Sequence, residues 1–358
     1  MSEILRQPAG DMAEDKKPGE IESPGRVEDR VPRVSIGLPV FNGEDFLEQA
    51  LDSLLGQTFK DFELIISDNG STDRTAQICR SYAARDKRIR YFHNETNRGA
   101  SWNFNRVFML ARGEYFKWAA HDDLCAPSCL EECVSALDRD PGIVLSYPWT
   151  QMIDMEGRLR QTYQSLMTRV GSPLPYQRFH SVICQNRHCH EVFGLTRTAV
   201  MRRTPLLAGF TGSDRVLLAD LALHGRFHEV PAYLFLNRNH PARSVKAYPL
   251  HLYAVWFDPR LKGKITFPHW RYLLEYSRTV ARSELDGRER MRCYAQLLPW
   301  VAKFAMELAA DFRTAGMSML RMVSPRAGEV VSRLVHEGPR VLFAPTNRVQ
   351  GGKSQRKA

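Results

Sequence analysis

No apolar run in this chain approaches the ~18 residues that a membrane-spanning helix needs. The opening residues carry no basic stretch followed by an apolar one, so no secretory leader is expected. Cysteine is scarce: seven residues, an odd number that does not suit a disulfide framework. Reduced thiols, and hence a cytoplasmic chain, are the expectation. Three of them, Cys125, Cys129 and Cys133, fall at helical spacing, where thiols pack as small hydrophobes. The G-x-G-x-x-G loop of a nicotinamide-dependent oxidoreductase is missing after the first strand-like run. Pro39-Val40-Phe41-Asn42-Gly43-Glu44 stands there instead.

Excess charge is also missing from most of the chain. Of 50 Lys+Arg and 40 Asp+Glu, residues 251–358 hold 19 and 9, so the whole net charge of +10 lies in that last third. A neutral main domain speaks against a nucleic-acid enzyme with a basic surface, and the basic residues are not interleaved with aromatics as a stacking platform requires. What is present is enough apolar material, 43% of 358 residues, for one large or two ordinary domains.

Residues 1–31 are polar and without an apolar period, which predicts a disordered tail. From Val34 a strand-like run, Val34-Ser-Ile-Gly-Leu-Pro-Val40, leads through the turn Phe41-Asn42-Gly43 into Phe46, Leu47, Ala50, Leu51, Leu54 and Leu55, one face of a helix. Phe62 to Ile66 reads as a second strand. Its exit turn runs from Ser67 to Asp73, with Ser71 or Thr72 placed to cap the next helix. Ile89 to Phe92 is a third strand, Asn97-Arg98-Gly99 a loop, and a helix carries Trp102, Val107 and Phe108. Gly113 stops it, and an apolar run from Tyr115 ends at His121-Asp122-Asp123. Strand and helix alternating three times argues for an α/β domain with a mostly parallel sheet flanked by helices. Ligands of such sheets collect at the carboxyl ends of the strands, where the Asn42 turn, the Asp68 turn and the Asp122-Asp123 pair all lie. Adjacent carboxylates repel each other, and a divalent cation with an anionic ligand relieves that repulsion.

Leu38-Pro39-Val40-Phe41-Asn42, Ser67 to Asp73, Asn97-Arg98-Gly99 and His121-Asp122-Asp123, in this order and at these intervals, resemble the family 2 glycosyltransferases of the GT-A, Rossmann-type fold. The resemblance runs from about Val34 to Asp123 and continues more weakly to about Ser244. It implies that Pro39, Phe41, Asn42 and Asp68 hold the nucleotide base and that Arg98 lies in the nucleotide cleft. It places Asp122 toward the ribose and Asp123 on Mg²⁺ or Mn²⁺, hard cations suited to carboxylate and phosphate oxygens. His240 could complete the metal shell, and Arg238 or Arg243 could reach phosphate. Asp214, in Thr211-Gly-Ser-Asp214, is the candidate base for an inverting transfer to an acceptor hydroxyl, and Glu191 a candidate on the acceptor side. A nucleotide sugar, with UDP as the nucleotide, is the implied donor, and a glycan or a lipid-linked chain the implied acceptor. A non-catalytic nucleotide-sugar-binding scaffold is the alternative. Cys184-x₄-Cys189 lacks the partner pair of a structural zinc site.

The domain borders expected are 32–250 for the transferase domain, 251–345 for a basic helical extension and 346–358 for a basic tail. Helices are expected from Trp270 to about Arg282 and from Glu289 to about Phe312. The second carries an apolar stripe of Leu297, Leu298, Val301, Phe304, Ala305 and Leu308. The extension either docks on the main domain or meets an anionic membrane surface as a peripheral anchor.

Overall fold

The computed structural model describes residues 31–185, 188–241 and 250–323. The tails expected at 1–31 and 346–358 fall outside them, Val31 apart. The chain forms two compact units: residues up to 263 together with 271–303, and residues 264–270 together with 304 onward.

The first unit is built on one sheet. Its strands among the described residues are β1 (Val34–Val40), β2 (Phe62–Asp68), β3 (Ile89–His93), β4 (Tyr115–Trp118), β5 (Leu124–Cys125), β6 (Ile143–Ile153), β7 (Leu159–Tyr163), β8 (Leu195–Arg197) and β9 (Arg226–Arg238). Their order is β3-β2-β1-β4-β8-β6-β9-β5, with β7 on β6. β1 runs parallel to β2 and β4, β2 to β3, and β6 to β9. β8 lies antiparallel between β4 and β6, so β6 and β9 point the same way as β1 to β4. The parallel strands expected from the βα rhythm are thus joined by three antiparallel ones, β5, β7 and β8. Six carboxyl ends share one edge, which is where the polar turns sit.

β1 and β2 are buried along their whole length, the signature of strands covered on both faces. Pro39 sits in central β1 without breaking a ladder. Pairing with β4 ends at Gly37 opposite Trp118, so no neighbour asks for an amide hydrogen there. Helix α1 (Leu47–Leu55) buries Leu47, Ala50, Leu51 and Leu54 against the sheet. Helices α2 (Thr75–Arg85), α3 (Ala100–Met109), α4 (Cys129–Arg139), α5 (Pro175–Gln185), α6 (Thr198–Met201) and α7 (Ser213–His224) follow in chain order. Cys125, Cys129 and Cys133 are buried thiols of the core; Cys129 and Cys133 share α4 as their spacing predicts, whereas Cys125 lies on strand β5 and not on a helix. Neither Ser71 nor Thr72 caps α2. The helix begins at Thr75, and Asp73 Oδ1 accepts its amide at 3.0 Å.

The helix expected across 289–312 is three helices, Gly287–Ala295, Leu297–Lys303 and Ala305–Val323. Pro299 is the physical reason for the first break, because it cannot donate to the carbonyl of Ala295 and so cannot continue the first helix. The breaks rotate the expected stripe apart: Leu298 is 73% exposed, whereas Trp300 is buried and packs its ring edge-on against Tyr276. In the second unit Asp311 accepts the amides of His269 and Trp270, capping the start of the helix Pro268–Arg282 from outside.

Candidate active site

The first two exit turns are stitched to each other. The Asn42 amide donates to Ser71 Oγ at 2.9 Å, and Asn42 Oδ1 accepts the Thr72 amide at 2.9 Å. The Gly43 amide donates to Thr75 Oγ1 and that of Glu44 to Asp73. Asn42 takes positive φ, 49°, which asparagine tolerates because its short amide can bond locally. Beside them the Asn69 amide group donates to Asn97 Oδ1 and to the Gly99 carbonyl, while its Oδ1 accepts the Arg98 amide. The Arg98 guanidinium is exposed and lies 4.3 Å above the Trp102 ring. Phe41 is half-buried at the same edge and Pro39 buried beneath it.

Asp68 differs from the expectation. It is buried completely, and its carboxylate takes the Ser71 amide at 2.9 Å, the Tyr91 hydroxyl at 3.0 Å and the His93 ring at 3.1 Å. In this arrangement Asp68 holds its own exit turn from within, and its carboxylate is not presented at the surface.

The Asp122-Asp123 pair divides in a way the residue order does not reveal. Asp123 is buried and faces β9, where its Oδ1 accepts the Arg238 amide at 2.8 Å and the Asn237 side-chain amide at 3.0 Å. Asp122 instead meets His240, with Nε2 2.9 Å from Oδ2. Burial works to raise the Asp122 carboxyl. The His240 and His121 imidazoles outweigh it and hold the group below the ordinary carboxylate range. The His121 ring packs on the turn at Gly43, where an added Cβ would stand 2.7 Å from it. Arg238 is fully buried and donates to the carbonyls of Asp122, Asp154 and Met155 and to Gln49 Oε1. It therefore clamps β9 to the Asp122 turn and does not extend toward a phosphate. Arg243 lies outside the described residues.

The other candidate residues, Asp214 and Glu191, lie at the start of α7 and on the 3-10 turn His190–Phe193. Asp214 opens α7. Burial pushes its carboxyl up against the opposing pull of Arg215, and the Cys189 thiol reaches it. Glu191 is buried, and its charge also acts on Cys189. The two halves of the site touch through β9: His190 and Phe193 pack on Phe235, two residues before Asn237. Buried Lys117 of β4 donates to the Phe193 carbonyl and fixes that turn, a role its place inside an apolar run conceals. Asp220, further along α7, pairs with His224 and Arg282.

The C-terminal segments complete the walls. Gly99 has φ +91°, and a Cβ there would stand 2.6 Å from Pro259 and 2.9 Å from the Phe257 carbonyl. Residues 257–259 thus close directly on the Arg98 loop, and Ser101 Oγ donates to Phe257 O at 3.1 Å. Gly212 has φ +80°, and the Tyr272 hydroxyl occupies the place of its missing side chain while donating to the Thr211 carbonyl. No composition or spacing signal points to Asn237, Tyr91, His93 or Tyr272. Each matters through a partner far away in the chain.

Among the described residues no group of three or more His, Cys, Asp or Glu side chains could by itself hold a metal ion. Asp122 and His240 supply one oxygen and one imidazole nitrogen, a donor set that a hard divalent ion accepts when phosphate oxygens provide the remainder.

The Glycosyl transferase family 2 profile matches residues 35–208. An uncharacterized glycosyltransferase of Rickettsia typhi is 40% identical over 126 residues, 35% of this chain and 38% of that protein. Chondroitin synthase of Escherichia coli is 34% identical over 130 residues, 36% of this chain and 19% of the synthase. The chain thus spans about two fifths or less of the length of these curated relatives. The crystal structure of S. aureus TarS 1–349 with UDP superposes with a TM-score of 0.55 at 17% identity, over 87% of this chain and 86% of that one. Its complex with UDP-GlcNAc also gives 0.55, at 16% identity over 86% and 89%. The sheet with its flanking helices is a GT-A fold, and through residues 35–208 the chain belongs to glycosyl transferase family 2.

Proposed function

We propose that the protein transfers a sugar, with inversion, from a nucleotide sugar to a hydroxyl of a glycan or lipid-linked acceptor. The observation that carries this reading is the Asp122–His240 pair at the carboxyl edge of the sheet, together with a half-buried Asp214 at the start of α7 whose carboxyl is raised by burial. The Phe41-Asn42 turn and the Asn69–Arg98 loop border the nucleotide, with Pro39 and Asp68 supporting them from beneath. The solved TarS complexes with UDP and UDP-GlcNAc favour UDP as the nucleotide.

Asp122 and His240, rather than Asp123, are the residues that would hold Mg²⁺ or Mn²⁺. When bound, such an ion offsets the negative charge that grows on the departing diphosphate. Asp123 keeps β9 in place so that Asn237 and Arg238 present His240. Arg98 adds a fixed positive charge near the phosphates. Asp214 accepts the proton of the acceptor hydroxyl as its oxygen bonds to the anomeric carbon and the bond from that carbon to the diphosphate breaks. Glu191 and the turn around it orient the acceptor.

A thermal-shift series with nucleotide sugars tests donor and metal together. UDP-sugars with Mn²⁺ should raise the melting temperature by several degrees, equivalent to about 2.7 kcal/mol at a hundred-fold excess over Kd. No shift with any nucleotide sugar would remove the donor site.

A peripheral contact with anionic membrane belongs to the same reading. In the second unit Phe267 and Trp270 each lie 5.5 Å from Phe312. Trp270 and Phe312 are 41% and 58% exposed, with Met306 and Met319 exposed on the same helix as Phe312. No described helix is long and apolar enough to cross a membrane. Aromatic rings within the strongly basic third of the chain suit an interfacial anchor. Sedimentation with phosphatidylglycerol vesicles should carry the protein down at low salt. Trp270→Glu/Phe312→Glu should leave it in solution, and equal pelleting of both would discard the contact.

A further inference from the structure

A second hollow of about 390 Å³ opens on the first unit, between α5 and the end of the helix Gly287–Ala295. None of the residues named above for transfer lines it. Its walls are Arg169, Tyr176, Gln177, His180, Gln185 and Gln296, together with Thr168. Among the described residues no aliphatic side chain lines it; amide, hydroxyl, imidazole and guanidinium groups stand beside the Tyr176 ring. The volume falls in the range of sites for small organic ligands.

The polar groups are pinned in a pattern that leaves hydrogen-bonding capacity facing the space. Gln185 Oε1 accepts the Thr168 amide at 3.0 Å and the Ser181 hydroxyl at 2.6 Å, which fixes the amide plane and leaves its Nε2 hydrogens as donors. Gln296 is pinned the other way: its Nε2 donates to the Arg292 carbonyl at 3.1 Å, leaving Oε1 as an acceptor. Gln177 accepts the Ser172 hydroxyl and donates to the Tyr176 hydroxyl, which holds the Tyr176 ring in position. His180 Nδ1 is buried and has no hydrogen-bond partner among the described residues. A buried polar atom without a partner costs roughly 1–3 kcal/mol, which a ligand hydroxyl or a water recovers.

Planar amides, an imidazole, a guanidinium and an aromatic ring lining one space match the vicinal hydroxyls and C–H groups of a sugar ring. Among the described residues, the ionisable side chains on the walls are Tyr176, Arg169 and His180, and no carboxylate is among them. Arg292, 5.6 Å from the Tyr176 ring, is paired with Glu289, which leaves Arg169 as the cation that faces an acidic group. We propose that this hollow is a glycan subsite for an acidic sugar residue of the acceptor chain. In sequence, α5 precedes the turn that carries Glu191. The assignment of the bound sugar to the acceptor rests on the transferase reading. Binding itself does not.

Saturation-transfer NMR on the full chain, without nucleotide or metal, tests it with three probes: D-glucuronate, D-glucose and inorganic phosphate. Glucuronate should bind saturably at millimolar concentration and bind more tightly than glucose. Arg169→Ala should weaken glucuronate by about ten-fold, the size of one charge-assisted hydrogen bond. Tyr176→Ala should remove the ring contact seen on the sugar C–H protons, and Arg169→Lys should recover part of the affinity. Melting temperatures of the three variants confirm that each is folded. No saturable glucuronate binding would overturn the site, and binding unchanged in both alanine variants would place it elsewhere. Glucose binding as tightly would overturn the acidic class, and displacement by phosphate at equal concentration would reduce the hollow to a bare anion site. Donor-dependent thermal shifts are read without any of these probes. A failed transferase reading therefore leaves a sugar-binding site intact, and a failed sugar site leaves donor binding intact.

Discussion

Asp122→Ala should lower transfer by about 10³-fold, close to 4 kcal/mol of transition-state stabilisation, while the melting temperature stays within a few degrees of the parent. The reason is positional. Asp122 meets His240 at the open edge of the sheet, and its carboxyl is held ionised by two neighbouring imidazoles. A carboxylate kept charged in a partly buried place costs desolvation energy, and a bound cation is the partner that recovers it. Asp123→Ala should behave in the opposite sense. Its carboxylate satisfies an amide of Asn237 and the backbone of Arg238, so truncation orphans buried donors and should cost about 2–4 kcal/mol of stability. Donor hydrolysis rate, Mn²⁺ titration and melting curves on both variants separate the two roles. Metal-stimulated turnover surviving in Asp122→Ala would contradict the assignment.

The second large effect belongs to Asp214. Asp214→Asn should reduce kcat by about 10²–10⁴-fold, the usual worth of a positioned base, with little change in the affinity for nucleotide. Stability should move the other way. Burial raises the carboxyl pKa in the folded state, so over part of the pH range the folded protein keeps a proton that the unfolded chain has released. Stability contributed by this group is therefore present below the unfolded value, about 3.9, and is lost as pH rises through the higher folded value. The asparagine variant removes that loss and should melt at a higher temperature than the parent at neutral pH. In the parent, kcat should climb with pH through the same raised pKa as the base becomes ionised. Asn that melts lower and turns over normally would mark Asp214 as an ordinary first-turn acid of α7.

Much of the fold is legible along the chain. The runs that became β1 to β4 and the faces of α1 and α3 are local patterns, set by side chains two or four residues apart. The rim motifs are equally local, because a turn between a strand and a helix is a short stretch of sequence. The C-terminal helices were less legible. Apolar residues at helical spacing from Leu297 to Leu308 suggest one continuous face, but Pro299 removes the amide that continuity needs, and Trp300 rather than Leu298 fills the space.

The sequence alone determined the alternation of strands and helices, the edge at which polar turns gather and the residue types available there, since each follows from spacing within a dozen residues. Only the folded chain decided which of two adjacent aspartates faces outward. That choice depends on β9, more than a hundred residues away, delivering Asn237 and Arg238 to Asp123 and His240 to Asp122. It also decided that Asp68 looks inward to Tyr91 and His93 and that residues 257–259 close over Gly99. Such pairings are settled by packing and hydrogen-bond satisfaction across the sheet, and no local pattern encodes them.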